Sequence, residues 1–140
     1  MVPANAWAMV DARLLPGQSA EDVLAAIEDV VQETAAQRPG VRISLEVKNS
    51  LPAAAIDRDH RLAQLAAQHA ARFTGREWPI RGAGPANEGY MLIDAGIPTL
   101  CGFGPQGGNA HAPDEWVALP SLPTTVAMYA ATIYDYLKEN

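Results

Sequence analysis

Apolar positions recur along this chain in two patterns, alternation and helical stripes, and together these predict most of its elements. In WAMVDARL (7–14), Ala8, Val10, Ala12 and Leu14 share one face of a predicted strand, while Trp7, Met9, Asp11 and Arg13 share the other. LLPGQ (14–18) is a turn. Ser19 can then cap a helix, with Asp22 three residues on to return the hydrogen bond. Val23, Leu24, Ile27, Val30 and Val31 make one apolar stripe on that helix, which Arg38, Pro39 and Gly40 end. VRISLEVK (41–48) alternates again, with Val41, Ile43, Leu45 and Val47 expected inward. Strand, helix, strand in this order predicts a crossover that leaves the two strands parallel.

NSLPAAAID (49–57) reads as a linker, after which Asp57 or Asp59 can cap a second helix with the stripe Leu62, Leu65, Ala66, His69 and Phe73, closing at Gly75. EWPIRGAGPANEGYMLIDAG (77–96) gives a short strand, a turn at Gly82 and Gly84, and a helix with Pro85 in its first position. TLCGF (99–103) is a short apolar run, the signal of a buried strand. It delivers GFGPQGGNAHAPDEWVAL (102–119), a loop rich in glycine, proline and asparagine. From Ser121 or Pro123 onward, Val126, Tyr129, Ala130, Ile133 and Leu137 lie at helical spacing, as expected of a docking helix.

The candidate chemistry sits mainly in that last loop. His111 stands between Ala110 and Ala112, ahead of Asp114 and Glu115, and a neutral imidazole with a carboxylate close by is the usual composition of a zinc ligand and its supporting acid. A solvated loop side chain is the competing reading. Arg13 shares a strand face with Asp11, so it forms either a same-face ion pair or a guanidinium poised for bidentate capture of a carboxylate. The free N–H groups after the Gly82–Gly84 turn favour an anionic group, although the same glycines serve a tight turn that binds nothing. They lack the spacing of a phosphate loop. His69, on an apolar stripe, reads as a satisfied core or boundary histidine and His60 as an exposed one.

Composition narrows the field. A chain of 140 residues, 49% hydrophobic and 19% charged, is of single-domain size, and its net charge of -6, with 10 scattered Lys and Arg, argues against nucleic acid and membrane-surface partners. No apolar run approaches the ~20 residues of a membrane span. The single cysteine, Cys101, has no internal disulfide partner; the expectation is a buried, inert thiol in a cytoplasmic protein.

Taken in series, VPANAWAMVDARLLPG, the capped helix with its following strand, GPANEGYMLIDAGIPTLCGFGP and NAHAPDEWVAL resemble a family of zinc exopeptidases and amidohydrolases. That family includes aminoacylase, acetylornithine deacetylase, succinyl-diaminopimelate desuccinylase and carboxypeptidase G. The resemblance implies an α/β fold: residues 1–52 as the β-α-β second half of a ferredoxin-like lid that makes a homodimer, and residues 56–140 as the C-terminal α/β part of the catalytic domain. It implies His111 as a metal ligand, Arg13 as the arginine holding a substrate carboxylate, and Gly84 and Asn87 on a substrate-facing loop. Glu115 would fix the loop or steady a ligand. Implied with them are one or two zinc ions in the complete enzyme, replaceable by cobalt or manganese, and an N-acyl amino acid or small peptide as substrate. An acidic residue often stands in the family where this chain has Asn87. The family's HxD ligand pair, bridging aspartate, paired glutamates and lid histidine would precede these residues, so no catalytic residue is assigned here. The 140 residues are expected to be inactive alone, with a non-catalytic oligomerisation module as the alternative. With the middle lid strand lacking, the two lid strands should close into a parallel pair or leave the piece poorly packed.

Overall fold

A computed structural model describes residues 3–83 and 87–138. The chain divides into two units between Ala54 and Ala55.

The first unit is built on helix α1, Ala20–Gln37. The Ser19 side chain caps it as expected, accepting from the backbone N–H of Glu21 at 3.1 Å and of Asp22 at 3.4 Å. Ahead of it, Gly17 at φ 90° closes the turn in which the Gln18 N–H donates to the Leu15 carbonyl at 3.0 Å. Neither flanking strand is formed. Residues 7–14 and 41–48 carry no ladder hydrogen bonds, and Val10 of the expected inward face is 76% exposed. The expected parallel pair is therefore absent, and no described residue from 3 to 54 is buried. The physical reason is the lack of a neighbour: a strand is held by a partner about 4.8 Å away, and these two segments have none among the described residues. Of the β-α-β unit only the helix exists, and its stripe is half-covered at Val23, Leu24, Ile27 and Val31 and open at Val30.

The second unit holds the core. Helix α2, Arg61–Thr74, stops where expected, at Gly75 in the left-handed conformation (φ 73°). Its N-cap is neither Asp57 nor Asp59. His60 occupies that position, with Nδ1 accepting from the Leu62 N–H at 3.1 Å, while Asp57 accepts from the Asp59 N–H at 2.8 Å and so shapes the turn before it. A short helix α3, Gly89–Asp94, follows, and the expected Pro85 start lies outside the described residues. The strands expected at 77–81 and 99–103 are irregular backbone, and Gly102 (φ 76°) bends the second of them. The one sheet among the described residues is an antiparallel pair, β1 (Gly107–Gly108) with β2 (Trp116–Val117). A 3-10 turn, Leu119–Ser121, leads into helix α4, Leu122–Lys138. In coarse terms the chain mixes helices with a small sheet, as an α/β protein does.

Helix α4 packs on α2 by a face other than the expected one. Its buried residues are Thr125, Met128 and Thr132, opposite Ala63, Ala66, His69 and Ala70 of α2. The apolar stripe is open instead: Val126 is 65% exposed, Ile133 58% and Leu137 62%. Alanines on α2 leave a shallow surface that two short side chains of α4, Thr125 and Thr132, approach and that Met128 fills between them. The seam is tied by polar links. His69 donates from Nε2 to the Asp135 carboxylate at 2.8 Å, and Arg61 donates to the carbonyls of Asp135 at 2.5 Å and Tyr136 at 3.0 Å. His69 is thus buried, as its place on the helix predicted, but it is not fully satisfied, since Nδ1 has no partner among the described residues. His60, expected exposed, is half-buried. Among the described residues no helix is long and apolar enough to cross a membrane.

Candidate functional site

The loop bearing His111 is the seven-residue connection of the β1–β2 hairpin, residues 109–115. Gly107 pairs with Val117 and Gly108 with Trp116. Both glycines are required by close approach: a Cβ on Gly107 would lie 2.8 Å from the Trp116 carbonyl oxygen, and one on Gly108 would lie 2.8 Å from the Trp116 indole Nε1. The indole therefore lies across the bare backbone of Gly108.

The foot of the hairpin is fastened to α4. The Ala118 N–H donates to the Gln106 carbonyl at 2.8 Å, and Ser121 Oγ accepts from the Gln106 N–H at 3.1 Å while donating to the Ala118 carbonyl at 2.6 Å. Tyr129 of α4 donates its hydroxyl to the Phe103 carbonyl, and their rings lie 5.3 Å apart.

Within the loop, Asn109, His111 and Asp114 take positive φ angles of 57°, 62° and 61°. Asn, Asp and His are the non-glycine residues most often found in this region. The Ala112 N–H donates to the Asn109 carbonyl at 2.9 Å and closes the turn. His111 itself is exposed, and among the described residues its ring makes no hydrogen bond or ion pair. Glu115 is exposed next to β2.

Asn87 precedes α3, and its Oδ1 accepts from the Gly89 N–H at 2.9 Å and from Cys101 Sγ at 3.1 Å. The Asn87 carbonyl oxygen is thereby engaged within the protein. Cys101 is half-buried rather than buried, with its thiol hydrogen-bonded to Asn87. Gly84 lies outside the described residues. Arg13 belongs to the first unit, where its guanidinium meets Asp11 at 2.7 Å in an exposed pair. That is the ion-pair reading of the two considered from sequence.

Among the described residues no group of three or more His, Cys, Asp or Glu side chains could hold a metal ion. Zinc in a catalytic site takes about three protein ligands and an open position. By themselves, then, these residues do not fit a zinc ion, and His111 offers one donor at most. The sequence gives Trp116 no role, Ser121 only that of a helix start and Tyr129 only a place on the α4 stripe, whereas all three side chains lie at the foot or base of the loop. No hairpin signal stood in the sequence, because two-residue strands joined by a seven-residue connection lie outside the short-loop pattern by which hairpins are read.

The chain matches the model of Peptidase family M20/M25/M40 over residues 4–135, nearly its whole length, and it belongs to that family. Membership makes it part of a group of hydrolases acting on peptide and amide bonds, generally metal-dependent and commonly on zinc. No curated protein and no solved structure matches it.

Proposed function

We propose that these residues form the C-terminal part of a zinc-dependent amidohydrolase that cleaves an N-acyl or peptide amide bond beside a free carboxylate. In this reading His111 contributes one metal ligand, Arg13 turns from Asp11 to the substrate carboxylate, and Gly84 and Asn87 belong to a substrate-facing loop, while Glu115 steadies the His111 loop. Residues 1–52 act as half of a lid that pairs with a second copy. The observation that carries the reading is the exposed imidazole of His111, without a partner among the described residues, on a fastened hairpin within a family match that runs through it. One imidazole can neither hold a catalytic metal nor take a proton from water for it, so the 140 residues are inactive by themselves.

A second reading draws on the uncovered side chains of α4, Val126, Ile133 and Leu137: a non-catalytic module that binds another protein or another copy. Upstream coding sequence separates the two. A continuous open frame carrying an HxD pair and paired glutamates supports the hydrolase. A stop codon with a ribosome site directly before Met1 supports the module.

A further inference from the structure

We infer that Asn87 offers a substrate hydrogen-bond donors only, and that Cys101 is the residue that positions it. The inference rests on the reading that places Asn87 on a substrate-facing loop. It names the chemistry which that residue admits: an acceptor oxygen, carbonyl or carboxylate, and not a free ammonium group.

An asparagine amide has one acceptor atom, with two lone pairs, and two N–H donors on its nitrogen. Asn87 Oδ1 accepts from the Gly89 backbone N–H at 2.9 Å and from Cys101 Sγ at 3.1 Å, so both of its places are taken. Turning the amide over would set its NH2 group against the Gly89 N–H, donor facing donor, and that one backbone group therefore decides the orientation. Nδ2 is left on the other side. Asn87 is exposed, and among the described residues Nδ2 makes no hydrogen bond.

Two observations make this a held side chain rather than a loose one. The cluster is close: a Cβ on Gly89 would lie 2.5 Å from Cys101 Sγ and 2.7 Å from Asn87 Oδ1, so thiol and amide oxygen meet beside the bare Cα of Gly89. It is also anchored from far along the chain. Cys101 lies 14 residues after Asn87, and just beyond it the Phe103 carbonyl accepts from the Tyr129 hydroxyl of α4. A donor held in place before a ligand arrives costs less ordering when the contact forms.

A group that meets Nδ2 must accept. An N-acyl amino acid does so through its acyl carbonyl or its carboxylate. An ammonium group carries donors alone and would face donors. At this residue an acylated amino group is admitted and a free one is not.

The test is nuclear magnetic resonance on the isotope-labelled 140-residue chain and the variants Asn87→Asp, Cys101→Ala and Cys101→Ser, with slow amide exchange in α2 and α4 as the check on folding. Aspartate keeps the acceptor for both bonds and removes the donors. In the parent chain the Asn87 side-chain order parameter should be that of a rigid group, about 0.85; it should fall below about 0.6 in Cys101→Ala and recover in Cys101→Ser, which keeps a donor there. N-acetylglycine should shift the Asn87 Nδ2 and Gly89 amide resonances, and ethylammonium should leave them in place. Asn87→Asp should bind N-acetylglycine about fivefold more weakly, the factor one hydrogen bond supplies, and its Gly89 amide should respond to ethylammonium. A mobile Asn87 amide in the parent, or one that stays rigid in Cys101→Ala, overturns the positioning role of Cys101. An ethylammonium response in the parent equal to that of N-acetylglycine overturns the donor assignment while leaving the loop substrate-facing. If neither probe moves Asn87 or Gly89, the substrate-facing reading falls and takes the inference with it.

Discussion

His69 Nε2 and Asp135 Oδ2 lie 2.8 Å apart across the seam of α2 and α4, and the two ends of this bond are unequally placed. The histidine side chain is 2% exposed and the aspartate 40%. His69 Nδ1 is also buried without a partner among the described residues. Asp135→Ala should therefore cost roughly 2–3 kcal/mol, because it strands both ring nitrogens in the interior. His69→Leu should cost under about 1 kcal/mol, since the freed carboxylate reaches water and the new side chain carries no polar atom. Urea denaturation of both variants checks the order, and a larger loss in His69→Leu would refute it.

Substitutions on α4 should distinguish its two faces. Thr132 is buried with its hydroxyl unpartnered among the described residues, so Thr132→Val should be neutral or stabilise by up to about 1 kcal/mol. Ile133→Ser, on the exposed stripe, should change stability by no more than about 0.5 kcal/mol. Had the apolar stripe been the packed face, the second variant would lose about 2–5 kcal/mol. Equilibrium unfolding gives the answer directly.

At Gly89 an added Cβ would lie 2.5 Å from Cys101 Sγ and 2.7 Å from Asn87 Oδ1. Gly89→Ala should accordingly destabilise the second unit by about 1–3 kcal/mol. Removing one obstacle with Cys101→Ala should recover part of that loss, so the pair is non-additive. A double-mutant cycle with zero coupling would show that the contact between α3 and the 99–103 segment is loose.

Capping supplies a fourth expectation. Ser19→Ala removes the acceptor for two N–H groups of α1 and should cost about 1 kcal/mol. With no buried residue among the described residues of the first unit to compensate, the loss should appear as reduced helicity in far-ultraviolet circular dichroism. His60→Ala should cost a similar amount at α2, and His60→Ser should not, because serine keeps an acceptor at the cap.

These residues also mark what could be read from the sequence. Ser19, Gly75 and the turn at Gly17 were legible because caps and turns are local, settled by one side chain or one φ angle. The open loop around His111 was legible for the same reason, from its glycines, prolines and asparagine. Long-range matters were not. The strands at 7–14 and 41–48 carry the right alternation, yet alternation states only a readiness to pair. The packed face of α4 depends on Ala63, Ala66 and Ala70, some sixty residues earlier, and hydrophobicity along α4 points to the opposite answer. Likewise His111 could be placed on a loop from its neighbours, while the clasp of Trp116 on Gly108 depends on a register that only pairing defines.

The account turns on His111 being one donor of a metal site that these residues do not complete. Zinc content and hydrolysis of N-acyl amino acids, measured together on the purified 140-residue chain, test this most directly. The prediction is zinc well below one ion per chain after dialysis, a weak Zn2+ response confined to His111, and no turnover. One tightly held zinc per chain with measurable hydrolysis would contradict it.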